Sequence, residues 1–149
     1  MMLKSALQSI LSALFILLFV YTGISKLLDH RFFEATLSKS PLIGSASTIF
    51  SYVLPVVELG IAALLFVHQR IRVGWYAAFA LMLMFTGYIA YMLLSQSKLP
   101  CSCGGVLKGL TWGEHLLFNV AFTILAFAGL WLSRHQNTPI IKARFGTIV

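Results

Sequence analysis

The sequence predicts an all-α membrane protein, a bundle of four transmembrane helices joined by short loops. Hydrophobic residues make up 59% of the chain and charged residues only 10%, where soluble domains average ~25% charged residues. The apolar residues are gathered into four runs, each long enough to cross a hydrocarbon core of ~30 Å as a helix. Backbone groups in lipid must be satisfied within helices or closed barrels, and unbroken runs of this length exclude barrel strands.

Charges mark the ends of the four runs. The first run carries no charge from Ser5 to Ser25 and ends at Lys26. The second contains a single charged residue, Glu58, and the third is uncharged. Helices are therefore predicted over residues 5–28, 45–67, 73–97 and 112–133, forming one domain over 1–133 with a polar tail over 134–149.

The connections between the predicted helices are short and differ in character. They cover residues 30–43, 68–72 and 98–111. The first places Phe32, Phe33 and Leu37 among charged residues, which predicts a short helix lying in the membrane interface. The second is a tight turn, and the third is a glycine-rich loop that carries both cysteines.

The basic residues indicate how the chain is anchored and oriented. The net charge is +7, but the basic residues stand at the ends of apolar runs, where lipid headgroups account for them and nucleic acid is not expected as a partner. Lys and Arg favour the side holding both termini by six to five. The positive-inside rule then predicts cytoplasmic termini and a cysteine loop on the outer, oxidising side.

The cysteine pair is the most informative feature of the loop between helices three and four. Cys101 and Cys103 are the only cysteines of the chain and stand one residue apart. A disulfide closing so small a ring adds little stability, and strained, exposed disulfides tend to be redox-active. Two alternatives remain open: reduced cysteines without a role, and metal binding together with His115. Copper(I) accepts two thiolates, whereas a structural zinc site needs four ligands.

Polar residues inside the predicted helices are the other candidates. Glu58 lies deep in the second helix, where an acidic residue is costly unless it is protonated or paired, and either Lys26 or His115 could pair with it. Lys26 could instead be a snorkelling anchor. His115 could exchange the proton that accompanies thiol chemistry. Asn119 and Thr123 share its helix face, and interhelical hydrogen bonding explains them equally well.

Four segments together resemble the MauE/DoxX-like family of redox-associated bacterial membrane proteins. They are Tyr21-Thr-Gly-Ile-Ser-Lys-Leu-Leu-Asp29, Pro55-Val-Val-Glu58, Pro100-Cys-Ser-Cys-Gly-Gly105 and Trp112-Gly-Glu-His-Leu-Leu-Phe-Asn119. The resemblance implies a DoxX-like four-helix bundle in the bacterial inner membrane and a role in thiol–disulfide chemistry. It also implies a link to the disulfide-rich subunit of methylamine dehydrogenase, with which the namesake is associated. Many members have an aromatic residue where this chain has Gly104-Gly105. Because of this difference, the resemblance implies the redox role more directly than it implies the substrate.

The resemblance carries over directly to Cys101 and Cys103, and only by position to the polar helix residues. The expected mechanism is exchange between this pair and a periplasmic thiol or disulfide protein, with His115 and Glu58 assisting. Electrons would pass to a membrane quinone held by Trp112, Asn119 and Lys26.

Two functions of other classes are also compatible with the sequence. One is a membrane protein that handles copper, zinc or a small solute. The other is a structural or assembly subunit of a larger membrane complex or homo-oligomer, in which the polar helix faces would be docking surfaces.

Overall fold

The structure, a computed structural model, describes residues 2–40, 43–67, 71–94 and 112–135. The helices are α1 (Met2–Leu28), α2 (His30–Ser38), α3 (Ser47–Phe66), α4 (Ile71–Leu94) and α5 (Trp112–His135), with a 3-10 turn (Gly44–Ala46) before α3. No strand occurs in these ranges. Four helices are long and apolar enough to cross a membrane, so the predicted all-α bundle of four membrane helices is confirmed.

The helix ends differ from the sequence predictions by a few residues. α4 begins at Ile71, two residues earlier than predicted, and α5 continues to His135 rather than stopping at 133. Arg134, predicted to open a polar tail, belongs to α5 and donates hydrogen bonds to the Tyr76 hydroxyl at 2.9 and 2.5 Å. The predicted cysteine loop and the rest of the tail lie outside the described residues.

The four long helices pack in a ring around an aromatic core. α1 lies against α3 and α5, and α4 lies against α3 and α5. Phe15 and Trp75 are fully buried, with ring centroids 5.2 Å apart in an edge-to-face arrangement. Phe15 also lies 5.5 Å from Phe122. Aromatic pairs of this geometry add to the contribution of simple burial.

The interface between α4 and α5 depends on close contact and on a hydrogen bond. A Cβ atom at Gly129 would lie 2.4 Å from the ring of Trp75, so only glycine fits there without displacement. The Thr86 and Thr123 hydroxyls are 2.9 Å apart across the interface. For Thr123 the predicted alternative, hydrogen bonding between helices, is therefore confirmed.

The short helix α2 is amphipathic, as predicted, but its apolar face turns into the bundle. Phe33 and Leu37 are buried, at 6% and 7% exposed, whereas the neighbouring Phe32 is 46% exposed. One turn separates the two buried residues, so both lie on one face of the helix. α2 thereby closes one end of the bundle.

Polar contacts fasten α2 to the first turns of α3. The Thr48 hydroxyl donates to Glu34 Oε1 at 2.5 Å, and Ser51 Oγ lies 3.0 Å from His30 Nε2. The His30 ring also stacks against Tyr52, with centroids 4.1 Å apart. These contacts hold the buried face of α2 in position.

Candidate functional site: an intramembrane cavity with a buried ion pair

A cavity of about 280 Å³ lies beneath α2 and between the four long helices. Its walls are mainly aliphatic and aromatic. Its polar side chains come from all four long helices, and they are Thr22, Lys26, Glu58, Tyr88, His115 and Asn119. Four predicted site residues, from α1, α3 and α5, are thus brought to a single cavity.

Lys26 and Glu58 form a hydrogen-bonded ion pair inside this cavity, from Lys26 Nζ to Glu58 Oε1. Their side chains are only 4% and 1% exposed. The structure therefore shows one of the two pairings that the sequence suggested. The snorkelling interpretation of Lys26 is wrong, because its ammonium group is buried within the bundle.

Aromatic rings surround the ammonium group on two sides. Lys26 Nζ lies 5.8 Å from the ring centroid of Phe33 and 5.4 Å from that of Phe85. A cation over an aromatic face is stabilised by the ring quadrupole, and more so when it is desolvated. The two rings and the Glu58 carboxylate therefore replace much of the hydration that Lys26 gives up.

A close approach of α1 and α3 brings the two charges together. A Cβ atom at Gly23 would lie 3.2 Å from Leu59 Cγ and 3.4 Å from the carbonyl oxygen of Pro55. Gly23 therefore allows the two backbones to approach at this level. Lys26 and Glu58 each follow this crossing by three residues, so both project from the contact line of the two helices.

The ion pair leaves hydrogen-bonding capacity facing the cavity. Glu58 Oε2 is buried and has no hydrogen-bond partner among the described residues. An ammonium group has three N–H donors, and within the described chain one of those of Lys26 is used, by Glu58. Buried polar groups are normally satisfied, so the open donors and acceptor are available to hydrogen-bond a polar group of a molecule in the cavity.

His115 and Asn119 add polar groups from α5. They are 2% and 4% exposed, lie one helical turn apart and both line the cavity. Asn119 Nδ2 donates to the His115 backbone carbonyl at 3.0 Å, so one part of its amide is used within its own helix. His115 is placed where an acid or base could act on a molecule in the cavity.

The cavity reaches the lateral surface of the bundle. Two of its lining residues, Phe50 on α3 and Met84 on α4, are 39% and 59% exposed. Both belong to helices that are long and apolar enough to cross a membrane, so in a bilayer their exposed surface would face hydrocarbon. This side of the cavity therefore lies next to a surface that would face lipid.

The remaining predicted site residues are not part of the described site. Cys101 and Cys103 lie outside the described residues, and so does the side chain of Trp112, the first residue of α5. Residues 2–40, 43–67, 71–94 and 112–135 contain no group of three or more His, Cys, Asp or Glu placed to hold a metal. The proposed metal set of two cysteines and His115 involves residues outside these ranges.

Sequence reasoning missed the aromatic partners of Lys26 and the opening of the cavity. Phe33 had a usable signal, since it lies on the apolar face of a predicted amphipathic helix. Phe85 and Met84 had none, because every face of an apolar membrane helix looks alike in sequence. The structure alone separates the side facing the cavity from the side facing lipid.

The four long helices and the cavity between them, with its buried ion pair, define a multi-pass membrane protein with a polar cavity inside the bundle. The chain belongs to the MauE family: the family model described as methylamine utilisation protein MauE matches residues 4–132. This match confirms the family resemblance seen in the four sequence segments. Comparison with curated proteins and with solved structures found no match.

Proposed function

We propose that the chain is a thiol–disulfide redox protein of the bacterial inner membrane, in which Cys101 and Cys103 exchange electrons with a periplasmic protein. The observation that carries the proposal is the placement of His115 with Lys26, Glu58 and Asn119 around one cavity. Membership in the MauE family supports the proposal independently.

The order and direction of the helices support a functional link between the cavity and the cysteine segment. The cysteine segment is joined to the last residue of α4, Leu94, and to the first residue of α5, Trp112. In an antiparallel bundle these two residues lie at the end where α1 finishes. Lys26 is two residues before the end of α1, and His115 is three residues into α5. The polar groups of the cavity therefore lie toward the end of the bundle at which the cysteine segment is attached.

The proposed chemistry is an exchange through a mixed disulfide. In the direction of substrate oxidation, a thiolate of the periplasmic protein attacks the Cys101–Cys103 disulfide, so one S–S bond forms as another breaks. A second thiol of the substrate then attacks the mixed disulfide, which leaves an oxidised substrate and a reduced cysteine pair. The two protons of the substrate thiols end on Cys101 and Cys103, and His115 is the proposed acid and base for these transfers.

In this proposal the family's link to methylamine utilisation is indirect. The chain would act on cysteines of a periplasmic protein that serves methylamine use, and no residue of the cavity is assigned to methylamine itself. With the cysteines on the outer face, both termini are proposed to lie in the cytoplasm, as the distribution of basic residues favours.

The test is the redox state of the cysteine pair in intact cells. Cells are acid-quenched and labelled with a membrane-impermeant, mass-adding thiol reagent before and after reduction. Cys101→Ser and Cys103→Ser are compared with the wild type. We expect a disulfide that reduces and re-forms, and a mixed disulfide with a periplasmic protein trapped in one of the two single variants.

His115→Asn serves as the companion variant in the same assay. We expect it to keep the disulfide but to slow its re-formation after a pulse of reductant, because the proton acceptor is lost. Cysteines that stay reduced and inaccessible in the wild type under all conditions would refute the redox proposal.

A further inference from the structure

We propose that the intramembrane cavity is a quinone site, in which the headgroup of a lipid-soluble quinone lies against the Lys26–Glu58 pair. All the lining residues of this site lie within the described ranges. The quinone site rests on the proposed function only for the source of the electrons that the quinone would accept.

The route into the cavity selects for a molecule dissolved in the bilayer. Phe50 and Met84 line the cavity and are exposed on the lipid-facing surface of α3 and α4. A water-soluble substrate would have to cross hydrocarbon to reach this opening. A quinone with an isoprenoid or alkyl tail can place its ring in the cavity while the tail stays among the lipid chains.

The polar groups match both redox forms of a quinone. The open N–H donors of Lys26 suit a quinone carbonyl, which only accepts hydrogen bonds. Glu58 Oε2, buried without a partner in the described chain, suits the hydroxyl of the reduced form, which donates. A hydrocarbon or a lipid tail would leave both groups unsatisfied, and this carries a free-energy cost in a buried site.

The walls and the size suit a single aromatic headgroup. Phe19, Phe85 and Phe118 are among the lining residues and offer flat apolar surfaces to a ring. The cavity volume of about 280 Å³ lies just below the range that is usual for pockets holding a whole ligand, roughly 300–1,000 Å³. A headgroup fits this space, and the tail is accommodated outside it.

The redox step that such a site supports is balanced without another reactant. Oxidation of the Cys101–Cys103 dithiol forms one S–S bond and releases two electrons and two protons. The quinone takes both electrons and both protons, so its two C=O groups become two C–OH groups. His115 and the Lys26–Glu58 pair are the groups of the cavity that can relay protons to the quinone oxygens.

Binding can be tested apart from redox chemistry in a Cys101→Ser, Cys103→Ser protein reconstituted into lipid nanodiscs. Decylubiquinone and a short-chain menaquinone are titrated in, and the complex is quantified by mass spectrometry of the intact protein. In the same background, the double variant Lys26→Met, Glu58→Gln removes both charges but keeps side-chain volume. We expect it to raise the dissociation constant by about tenfold or more, because charge-assisted hydrogen bonds are lost.

A matched pair of variants tests the opening of the cavity. Met84→Trp fills the mouth and is expected to weaken quinone binding. Leu83→Trp adds the same bulk at the adjacent residue, which is 55% exposed and does not line the cavity, so binding should be unchanged. Quinone that binds equally to wild type, the charge-free double variant and Met84→Trp would be adventitious lipid partitioning, and the proposal would be overturned.

The outcome separates this inference from the proposed function. A cysteine pair that cycles in cells while the nanodisc protein fails to bind either quinone would overturn the quinone site and leave the redox function standing. Specific quinone binding to a protein whose cysteines never cycle would support the site and refute the redox function.

Discussion

Loss of the Lys26 ammonium is a perturbation that we expect to destabilise the bundle strongly. Lys26→Met keeps the length of the side chain but leaves Glu58 Oε1 without its donor, and Oε2 already lacks a partner in the described chain. Removing one member of a buried ion pair costs ~3–5 kcal/mol in measured cases. The unpaired carboxylate can take up a proton and become neutral. We therefore expect the free energy of unfolding to fall by about 3 kcal/mol, at the lower end of this range.

Restoring charge balance should recover most of this loss. In Lys26→Met, Glu58→Gln neither member of the pair is charged and side-chain volume is nearly kept. Replacing both members of a buried ion pair by uncharged groups often changes stability little. We therefore expect the free energy of unfolding of the double variant to lie within about 1 kcal/mol of the wild-type value. Glu58→Gln alone should be intermediate, because its amide oxygen still accepts from the ammonium group.

The assay is reversible unfolding by sodium dodecyl sulfate in mixed micelles, followed by circular dichroism of the helices. Lys39→Met, at an exposed position after α2, controls for the substitution itself and should leave the free energy of unfolding nearly unchanged. A double variant whose loss equals the sum of its two single variants would show that Lys26 and Glu58 do not interact in the native bundle.

Two further predictions concern packing. Gly129→Ala places a methyl group 2.4 Å from the ring of the fully buried Trp75, so we expect unfolding to become easier by about 1–3 kcal/mol; Gly60→Ala, with open space around its Cβ, is the matched control. Equal stability of both variants in the same unfolding assay would contradict the α4–α5 packing. Phe33→Ala removes a buried ring that covers the cavity and should destabilise by about 3 kcal/mol, whereas Phe32→Ala, at a half-exposed position on the same helix, should change little. Larger losses in Phe32→Ala than in Phe33→Ala would show that α2 faces the other way.

Much of the fold follows from the sequence, because the bilayer constrains it strongly. A membrane helix must be long enough to cross the hydrocarbon core and must carry few charges, so uncharged runs locate the helices within a few residues. The same constraint makes polar residues inside those runs conspicuous. Glu58, His115 and Asn119 were identifiable for this reason, before any contact between helices was known.

Only the tertiary structure decided what these residues do together. Lys26 and Glu58 are 32 residues apart in the chain. From sequence alone, a lysine near a helix end is equally compatible with a side chain that anchors the helix to lipid headgroups. The approach of α1 to α3 at Gly23 makes the pairing possible, and no local pattern specifies it. The inward direction of Phe33 and the contact of Phe85 with the ammonium group also depend on packing between helices. Helical periodicity can define an apolar face, but in lipid it does not tell which neighbour that face will meet, because the lipid tails are as apolar as the helices themselves.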